Sequence, residues 1–335
     1  MDTKNEKTYT LDAIAKELGV SKTTVSRAIS GKGRIGFETR ERILEFIKTN
    51  NYKPNVIARG LAEKKTYNIG LALPEELKAW DSPFCHRSIN GICDVATAND
   101  YDLILLWINY NNITQLKRIV DNQKADGIIL TRTMVKDDPV KYLKKAEMPF
   151  VVIGSSDDKS VTHIDNDHVQ ACKTLTELLL SRGLKKIALI GGETHLCVTN
   201  SRLKGFNLAL EGKEKSVKSK VVLDAITQPQ IIKATDEVLE SKPDCIVCMD
   251  DYICSVVMTH LNERRISIPE DVSIATFYRS VMLEGFNPPI TGLEFDEKAL
   301  GGIACEKLIE KLKGKDVQDF LNSDYRLFMG KSIKQ

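Results

Sequence analysis

The chain has 335 residues, 42% hydrophobic and 28% charged, the composition of a folded protein with two or three globular units rather than a single core. Its formal net charge of +2 hides an asymmetry: residues 1–65 hold 14 Lys/Arg against 8 Asp/Glu, while the rest hold 34 against 38, so a basic front precedes a mildly acidic body. No run approaches the roughly 18 apolar residues of a membrane span, and Met1-Asp2-Thr3-Lys4-Asn5-Glu6 lacks the apolar stretch of a secretory signal, so neither membrane nor export is expected.

In chain order, the first expected elements are helical. Leu11, Ile14, Ala15 and Leu18 recur at helical spacing behind a capping Thr10. Gly19-Val20 breaks that helix, and Ser21 is placed to cap a second one from Lys22 to about Ser30. After the loop Gly31-Lys32-Gly33, a third helix over 37–49 turns Ile43, Phe46 and Ile47 inward. Pro54 suits the first turn of another helix, short and spanning 55–63, with Lys64-Lys65-Thr66 as linker.

From Tyr67 the rhythm changes. Short apolar runs at 68–73, 101–107, 127–131 and 150–153 form one series, and 186–190, 221–223, 245–249, 272–277 and 291–295 form a second. Amphipathic segments such as 169–181, 202–210 and 231–240 lie between them. Buried strands separated by helices predict an α/β body of two lobes, each a parallel sheet with helices on both faces. Such sheets bind ligands beyond the carboxyl ends of their strands, so a small molecule is expected between the lobes.

The N-terminal segment carries the most specific chemistry. In the second helix Lys22, Thr23, Ser26, Arg27 and Ser30 share one face, with Val25 and Ile29 on the other. A helix apolar behind and donor-rich in front is shaped for the DNA major groove. Arg27 suits guanine edges and Lys22 and Thr23 other base edges, while Ser21, Thr24 and Ser26 suit phosphates. The plainer alternative is a three-helix bundle with a solvated polar face. Against it stands the segment Asn55-Val56-Ile57-Ala58-Arg59-Gly60-Leu61-Ala62, too short to be a stable helix alone. Leu61, wedged between base pairs, would stabilise it on DNA.

These residues resemble the LacI/GalR family of bacterial repressors. The matching text is Thr10-Leu11-Asp12-Ala13-Ile14-Ala15, Gly19-Val20-Ser21-Lys22-Thr23-Thr24-Val25-Ser26-Arg27, and Tyr52-Lys53-Pro54-Asn55-Val56-Ile57-Ala58-Arg59-Gly60-Leu61, with Asn68-Ile69-Gly70-Leu71 opening the first sheet. The resemblance implies a headpiece over 1–53, a hinge helix and linker over 54–65, and a periplasmic-binding-protein-like body over 66–335. It places the first lobe at 66–164 plus 292–319 and the second at 165–291 plus 320–335. It implies a homodimer or dimer of dimers on double-stranded, pseudo-palindromic operator DNA, with Thr10, Asn55 and Arg59 joining the DNA-contacting set. A carbohydrate effector would shift the lobes, and no cofactor or metal is implied.

Two effector contacts follow from the same resemblance, and others from position near the expected cleft. Arg202 matches a family arginine that hydrogen-bonds sugar hydroxyls, with a structural ion pair as the alternative. Asp251 matches a family acid, although its neighbour Asp250 can equally cap the following helix. Trp80 and Phe84 stack on a sugar ring or pack the lobes together, and Asp165 touches ligand or caps the next helix. Family members often carry an acid directly after the phenylalanine of Ile274-Ala275-Thr276-Phe277, where this chain has Tyr278 and then Arg279. That departure suggests an anionic or phosphorylated ligand. The closing Arg-x-Ser is also altered, to Lys331-Ser332 after Gly330.

Two rival readings are weaker. Ile190-Gly191-Gly192-Glu193-Thr194-His195 lacks a dinucleotide fingerprint or P-loop lysine, which argues against an enzyme. Cys245 and Cys248 have C-x-x-C spacing but sit in an apolar run without a second pair, as core thiols of a cytoplasmic, nucleoid-associated protein do. A plain sugar-binding protein would need an export signal and no basic headpiece.

Overall fold

The computed structural model describes residues 9–31, 33–50, 52, 60, 63–75, 82–109, 112–156 and 158–334. The expected sites Asn55, Arg59, Leu61 and Trp80, and the side chain of Ser30, lie outside the described residues. The chain divides into two compact units, Met1–Thr66 and Tyr67–Gln335.

In the first unit α1 spans Leu11–Leu18, α2 Lys22–Ser30 and α3 Phe37–Thr49. The hydroxyl of Thr10 accepts the Ala13 amide at 3.2 Å, and that of Ser21 the Thr24 amide at 3.1 Å. Each satisfies one of the donors a helix start leaves unpaired. Ile14, Ala15, Val25, Ala28 and Ile43 form the buried core, with Leu18, Phe46 and Ile47 packed around it. Each fully buried isoleucine contributes roughly 1.5–3 kcal/mol, so these few side chains hold the unit. At its end the Lys65 amide donates to the Gly60 carbonyl at 2.9 Å, with Lys64 at φ 52°. A Cβ on Gly60 would stand 2.5 Å from the Lys65 carbonyl, so this reversal requires glycine.

The second unit contains two six-stranded sheets. β1 (Asn68–Pro74), β2 (Asp102–Ile108), β3 (Gly127–Leu130), β4 (Phe150–Ile153) and β5 (His163–Asn166) share one sheet with β11 (Phe320–Asn322). Its order is β2-β1-β3-β4-β5-β11, and every neighbouring pair is parallel. β6 (Lys186–Ile190), β7 (Lys218–Val222), β8 (Cys245–Cys248), β9 (Ser273–Thr276) and β10 (Thr291–Glu294) form the other with β12 (Arg326–Phe328), in the order β7-β6-β8-β9-β10-β12. Only the β10–β12 pair is antiparallel.

The period-two pleat explains the first lobe's two cores. Ile69, Leu71 and Leu73 of β1 face one cluster, and Ala72 faces the other. The first cluster lies under α4 (Pro83–Ala98) and α11 (Glu297–Leu312), the second under α5 (Thr114–Asp121) and α6 (Asp138–Lys145). Helices α4 and α11 meet backbone to backbone: a Cβ on Gly91 would lie 1.9 Å from the Lys298 carbonyl, and one on Gly301 2.2 Å from that of Ser88. This close contact fixes the start of α11, which matters for the site below. The second lobe packs α7 (His168–Ser181), α8 (Cys197–Leu210), α9 (Gln228–Leu239) and α10 (Asp251–Glu263) around its sheet.

Three differences from the sequence reading concern short or crossing segments. The strands β5, β11 and β12 were not expected, and β7 begins at Lys218 rather than at 221. β5 belongs to the first sheet as far as Asn166, β10 to the second as far as Glu294, and β11 to the first as far as Asn322. The chain therefore crosses between lobes a few residues beyond the expected 165, 292 and 320, because each strand runs to the end of its sheet before leaving it. Ser332 is fully buried, accepting the Thr291 amide at 2.8 Å and donating to the Ile274 carbonyl at 2.6 Å. It fastens the C-terminal segment to β9 and β10.

Candidate functional site

In the first unit, helix α2 separates its residues sharply. Val25 and Ala28 are buried and Ile29 half-buried, whereas Ser21, Lys22, Thr23, Ser26 and Arg27 are exposed. Several of these polar groups already have partners within the unit. The Thr10 and Ser21 hydroxyls are engaged as caps, and Thr24, half-buried, shares a 2.8 Å hydrogen bond with the Ser21 hydroxyl. The Lys22 ammonium pairs with the Asp12 carboxylate at 2.8 Å, both side chains being largely exposed. Nothing in the local sequence pattern assigns Asp12 to this face.

In the second unit both sheets have the 2-1-3-4-5 strand order of doubly wound folds, extended by one edge strand. The ligand position of such folds is the crevice beyond the strand ends, where the order reverses. Arg202, on α8 and 9% exposed, sits there, and its Nη1 donates to the Met249 carbonyl directly after β8 at 2.8 Å. Its Nε is buried without a partner. Asp250 caps α10 by accepting the Ile253 amide at 2.8 Å, which leaves Asp251 as the first residue of the helix. Asp251 accepts hydrogen bonds from the Tyr252 amide and the Ser280 hydroxyl. Burial, and then the neighbouring Asp250 carboxylate, pushes its carboxyl up to about 6.

Asp165 lies in β5 and is buried; its carboxylate accepts the Asn166 amide at 2.8 Å. Burial raises its carboxyl to about 6, against the opposing pull of that amide and of Arg202. It does not cap the next helix; Asp167 does so, accepting the Gln170 amide at 2.9 Å. His168 stands 3.5 Å from Asp165, and burial, then the Arg202 charge, pushes its imidazole well below the usual range. Its Nδ1 is buried without a partner.

Tyr278 follows β9 and is 5% exposed. Its ring lies 5.7 Å from the Arg202 guanidinium, stacks on Phe295 at 6.5 Å and meets Phe84 edge-on at 6.5 Å. Its hydroxyl donates to Glu297, the first residue of α11, at 2.7 Å. Burial and then the Glu297 carboxylate push the phenol's pKa upward. Phe84 is only partly buried and packs against the cores of both lobes, which fits the lobe-packing reading of that aromatic.

Arg279 is not part of this cluster. Its guanidinium is ion-paired with Glu294 of β10 and lies over the Phe328 ring, 3.8 Å from its centre. Arg326 holds the other Glu294 oxygen at 2.8 Å. The Glu294 carboxylate thus meets the Arg279 charge beside β12, outside the Arg202 cluster, while the Arg279 Nε, like that of Arg202, is buried without a partner.

Two contributors escaped the sequence. Glu297 reads there as an ordinary first-turn acid, and His168 as a helix start; only the packing of α11 and β5 brings them to the cleft. Cys245 and Cys248 are fully buried in β8, and burial pushes both thiols up, as in core residues. Among the described residues no three His, Cys, Asp or Glu side chains are grouped to hold a metal ion, and no helix is long and apolar enough to cross a membrane.

Comparison with known proteins places both units. The family described as periplasmic binding proteins and sugar binding domain of the LacI family matches residues 66–328, and the bacterial regulatory proteins of the lacI family match residues 10–55. The HTH-type transcriptional regulator MalR of Streptococcus pneumoniae is 30% identical over 267 residues, 78% of this chain and 81% of that protein. Catabolite control protein A of Staphylococcus xylosus is 26% identical over 317 residues, 93% of this chain and 95% of that protein. Among solved structures, the lac repressor dimer bound to operator and the anti-inducer ONPF shares the fold, with a TM-score of 0.77 at 21% identity, covering 97% of this chain and 99% of that one. The chain belongs to the LacI family and is a DNA-binding transcriptional regulator rather than an enzyme.

Proposed function

We infer that this regulator represses carbohydrate-utilisation genes by binding a pseudo-palindromic operator as a dimer, under the control of a sugar held between its lobes. The domain assignment that goes with this is a headpiece over 1–53, a hinge over 54–65 and an effector-binding body over 66–335. The observation that carries the reading is the buried Arg202, anchored through one nitrogen to the end of β8 while its Nε lacks a partner. A buried donor without an acceptor costs about 1–3 kcal/mol, and a hydroxyl-rich ligand would satisfy it. Three acids, Asp165, Asp251 and Glu297, stand around Arg202, Arg87 is ion-paired with Glu297, and Arg279 with Glu294. That balance favours a neutral sugar over a sugar phosphate.

On the DNA side, Arg27, Lys22 and Thr23 are assigned to base edges and Ser21, Thr24 and Ser26 to phosphates, with Asn55, Arg59 and Leu61 in the hinge. The lac repressor, a neighbour in fold, was solved as a dimer on operator, which supports the same assembly here. The test is a gel shift of full-length protein on genomic fragments, with and without neutral sugars and sugar phosphates, alongside thermal shift. Operator affinity that changes with a neutral sugar supports the reading. Stabilisation by sugar phosphates alone overturns the neutral-sugar assignment, and Arg27→Ala binding every fragment as tightly as wild type overturns the assignment of Arg27.

A further inference from the structure

Four of the described hydrogen bonds between the lobes of the second unit bear on the cleft. The Val135 amide donates to the His195 carbonyl at 2.9 Å, and the Cys197 amide to the Thr133 carbonyl at 3.2 Å. The Ser155 and Ser201 hydroxyls share a 3.2 Å hydrogen bond. These three ties join the loops after β3 and β4 to the start of α8. The fourth, between Tyr278 and Glu297, has a different character: both side chains are buried, and the bond runs from a phenol to a carboxylate that Arg87 also holds at 3.0 Å. Hydrogen bonds to an ionised acceptor are roughly twice as strong as those between neutral groups.

The same side chain covers the ligand-binding donor. The Tyr278 ring faces the guanidinium of Arg202, with Phe295 stacked on it and Phe84 meeting it edge-on. An aromatic face over a cation is attractive, and a flat ring above a donor fork occupies the position a sugar ring would take to reach those donors. A ligand that reaches Arg202 must therefore displace the ring. Because ring and hydroxyl belong to one side chain, displacing it also breaks the tie to Glu297.

We propose that Tyr278 is a built-in plug and latch of the effector cleft: it covers Arg202, fastens the second lobe to Glu297 of the first, and sets which ligands gain entry. This rests on the reading of the cleft as the effector site and deepens it. Ligand binding and release of the latch become one event, so a ligand acts by favouring the lobe arrangement in which the tie is open. Small or weakly bonding molecules cannot offset the lost cation–π contact and hydrogen bond, whereas a ligand offering several hydroxyls to Arg202, Asp165 and Asp251 can.

Two measurements on the full-length protein test this. In the first, without any sugar, hydrogen exchange is compared between wild type and Tyr278→Phe, which keeps the ring and removes only the hydroxyl. The latch predicts at least tenfold faster exchange at residues 297–300 and 278–283, with the sheet cores unchanged; equal exchange overturns it. In the second, calorimetry with ribose, maltose and cellobiose compares wild type, Tyr278→Phe and Tyr278→Ala. The plug predicts affinities rising in that order, by severalfold for Phe and more than tenfold for Ala with at least one sugar. If the variants bind more weakly than wild type, Tyr278 is a platform for the ligand, and the plug falls while the sugar reading stands. If none of the three sugars binds any of the proteins, the plug falls as a sugar gate and the sugar reading falls with it, while the exchange experiment still decides the latch.

Discussion

The two units place their polar groups in opposite ways. The first buries a small apolar core, with Ile14, Val25 and Ile43 fully enclosed, and leaves Lys22, Thr23, Ser26 and Arg27 exposed. The second encloses its polar cluster: Asp165, His168, Arg202, Asp251, Tyr278 and Glu297 are all buried. Exposed groups cost little to maintain and respond to salt, because water and ions screen them. Buried groups have shifted protonation and unpartnered atoms, and so respond to pH and to ligands that satisfy them. The contrast suits a molecule that presents one surface to a polyanion and encloses the other from solvent.

The largest test of the contrast attacks the small core. Ile43→Ala removes a fully buried side chain from a core with few others, at a cost of about 2–5 kcal/mol. Specific DNA binding should be lost while the unfolding transition of the body stays in place, read by gel shift and calorimetry. A shift of the body's transition by a comparable amount would show that the two units do not divide as their cores do.

The same contrast explains what the sequence made legible. The headpiece could be read because its signals are local: Thr10 and Ser21 cap helices three residues away, and the apolar stripe has one period. The strands of the body were legible where they are buried on both faces and read as apolar runs, as in β4 and β8. The three missed strands are short, and β11 and β12 are neither buried nor uniformly apolar. The cleft was half legible. Arg202 and Asp251 stand near motifs, but the partners of Tyr278 and Arg279 lie 15 to 19 residues away or more, across a lobe crossing or a sheet edge. The residues after β9 suggest a cation for the ligand; in the fold that cation is ion-paired with Glu294.

A second test uses pH on the enclosed cluster. Burial raises Asp165 from 3.8 to about 6, so the folded protein holds that proton more tightly than the unfolded chain. The stability cost of the ionised form is therefore fully present above about pH 6 and disappears as pH falls toward 3.8. Asp165→Asn should stabilise the body by up to about 3 kcal/mol at pH 8, with the advantage shrinking below pH 6, as read by denaturant unfolding across that range. A variant less stable than wild type at pH 8 would mean that Arg202 needs the Asp165 charge.

On the exposed side, Arg27→Ala and Lys22→Ala should each cost about 1–3 kcal/mol at the base pair proposed for them, seen as relaxed preference in competition binding with single-base operator variants. Uniform weakening across all variants would assign the residue to phosphate instead.

The smallest effect concerns Asp12, and it tests whether the exposed face is as free as its exposure suggests. Asp12 holds Lys22 at 2.8 Å, yet both side chains are more than half exposed, so the pair itself stabilises the headpiece little. Lys22 cannot keep this partner and also donate fully to DNA, so association sets one ion pair against another. Asp12→Asn removes the competitor and one negative charge from the DNA-facing unit. Affinity should rise by at most about fivefold at low salt, with the gain fading as ionic strength rises and screening replaces the lost carboxylate's influence. Non-specific DNA should gain at least as much as operator, because the change is one of charge rather than base readout. If operator binding falls while non-specific binding rises, Asp12 positions Lys22 for its base, and the ion pair is part of the reading surface.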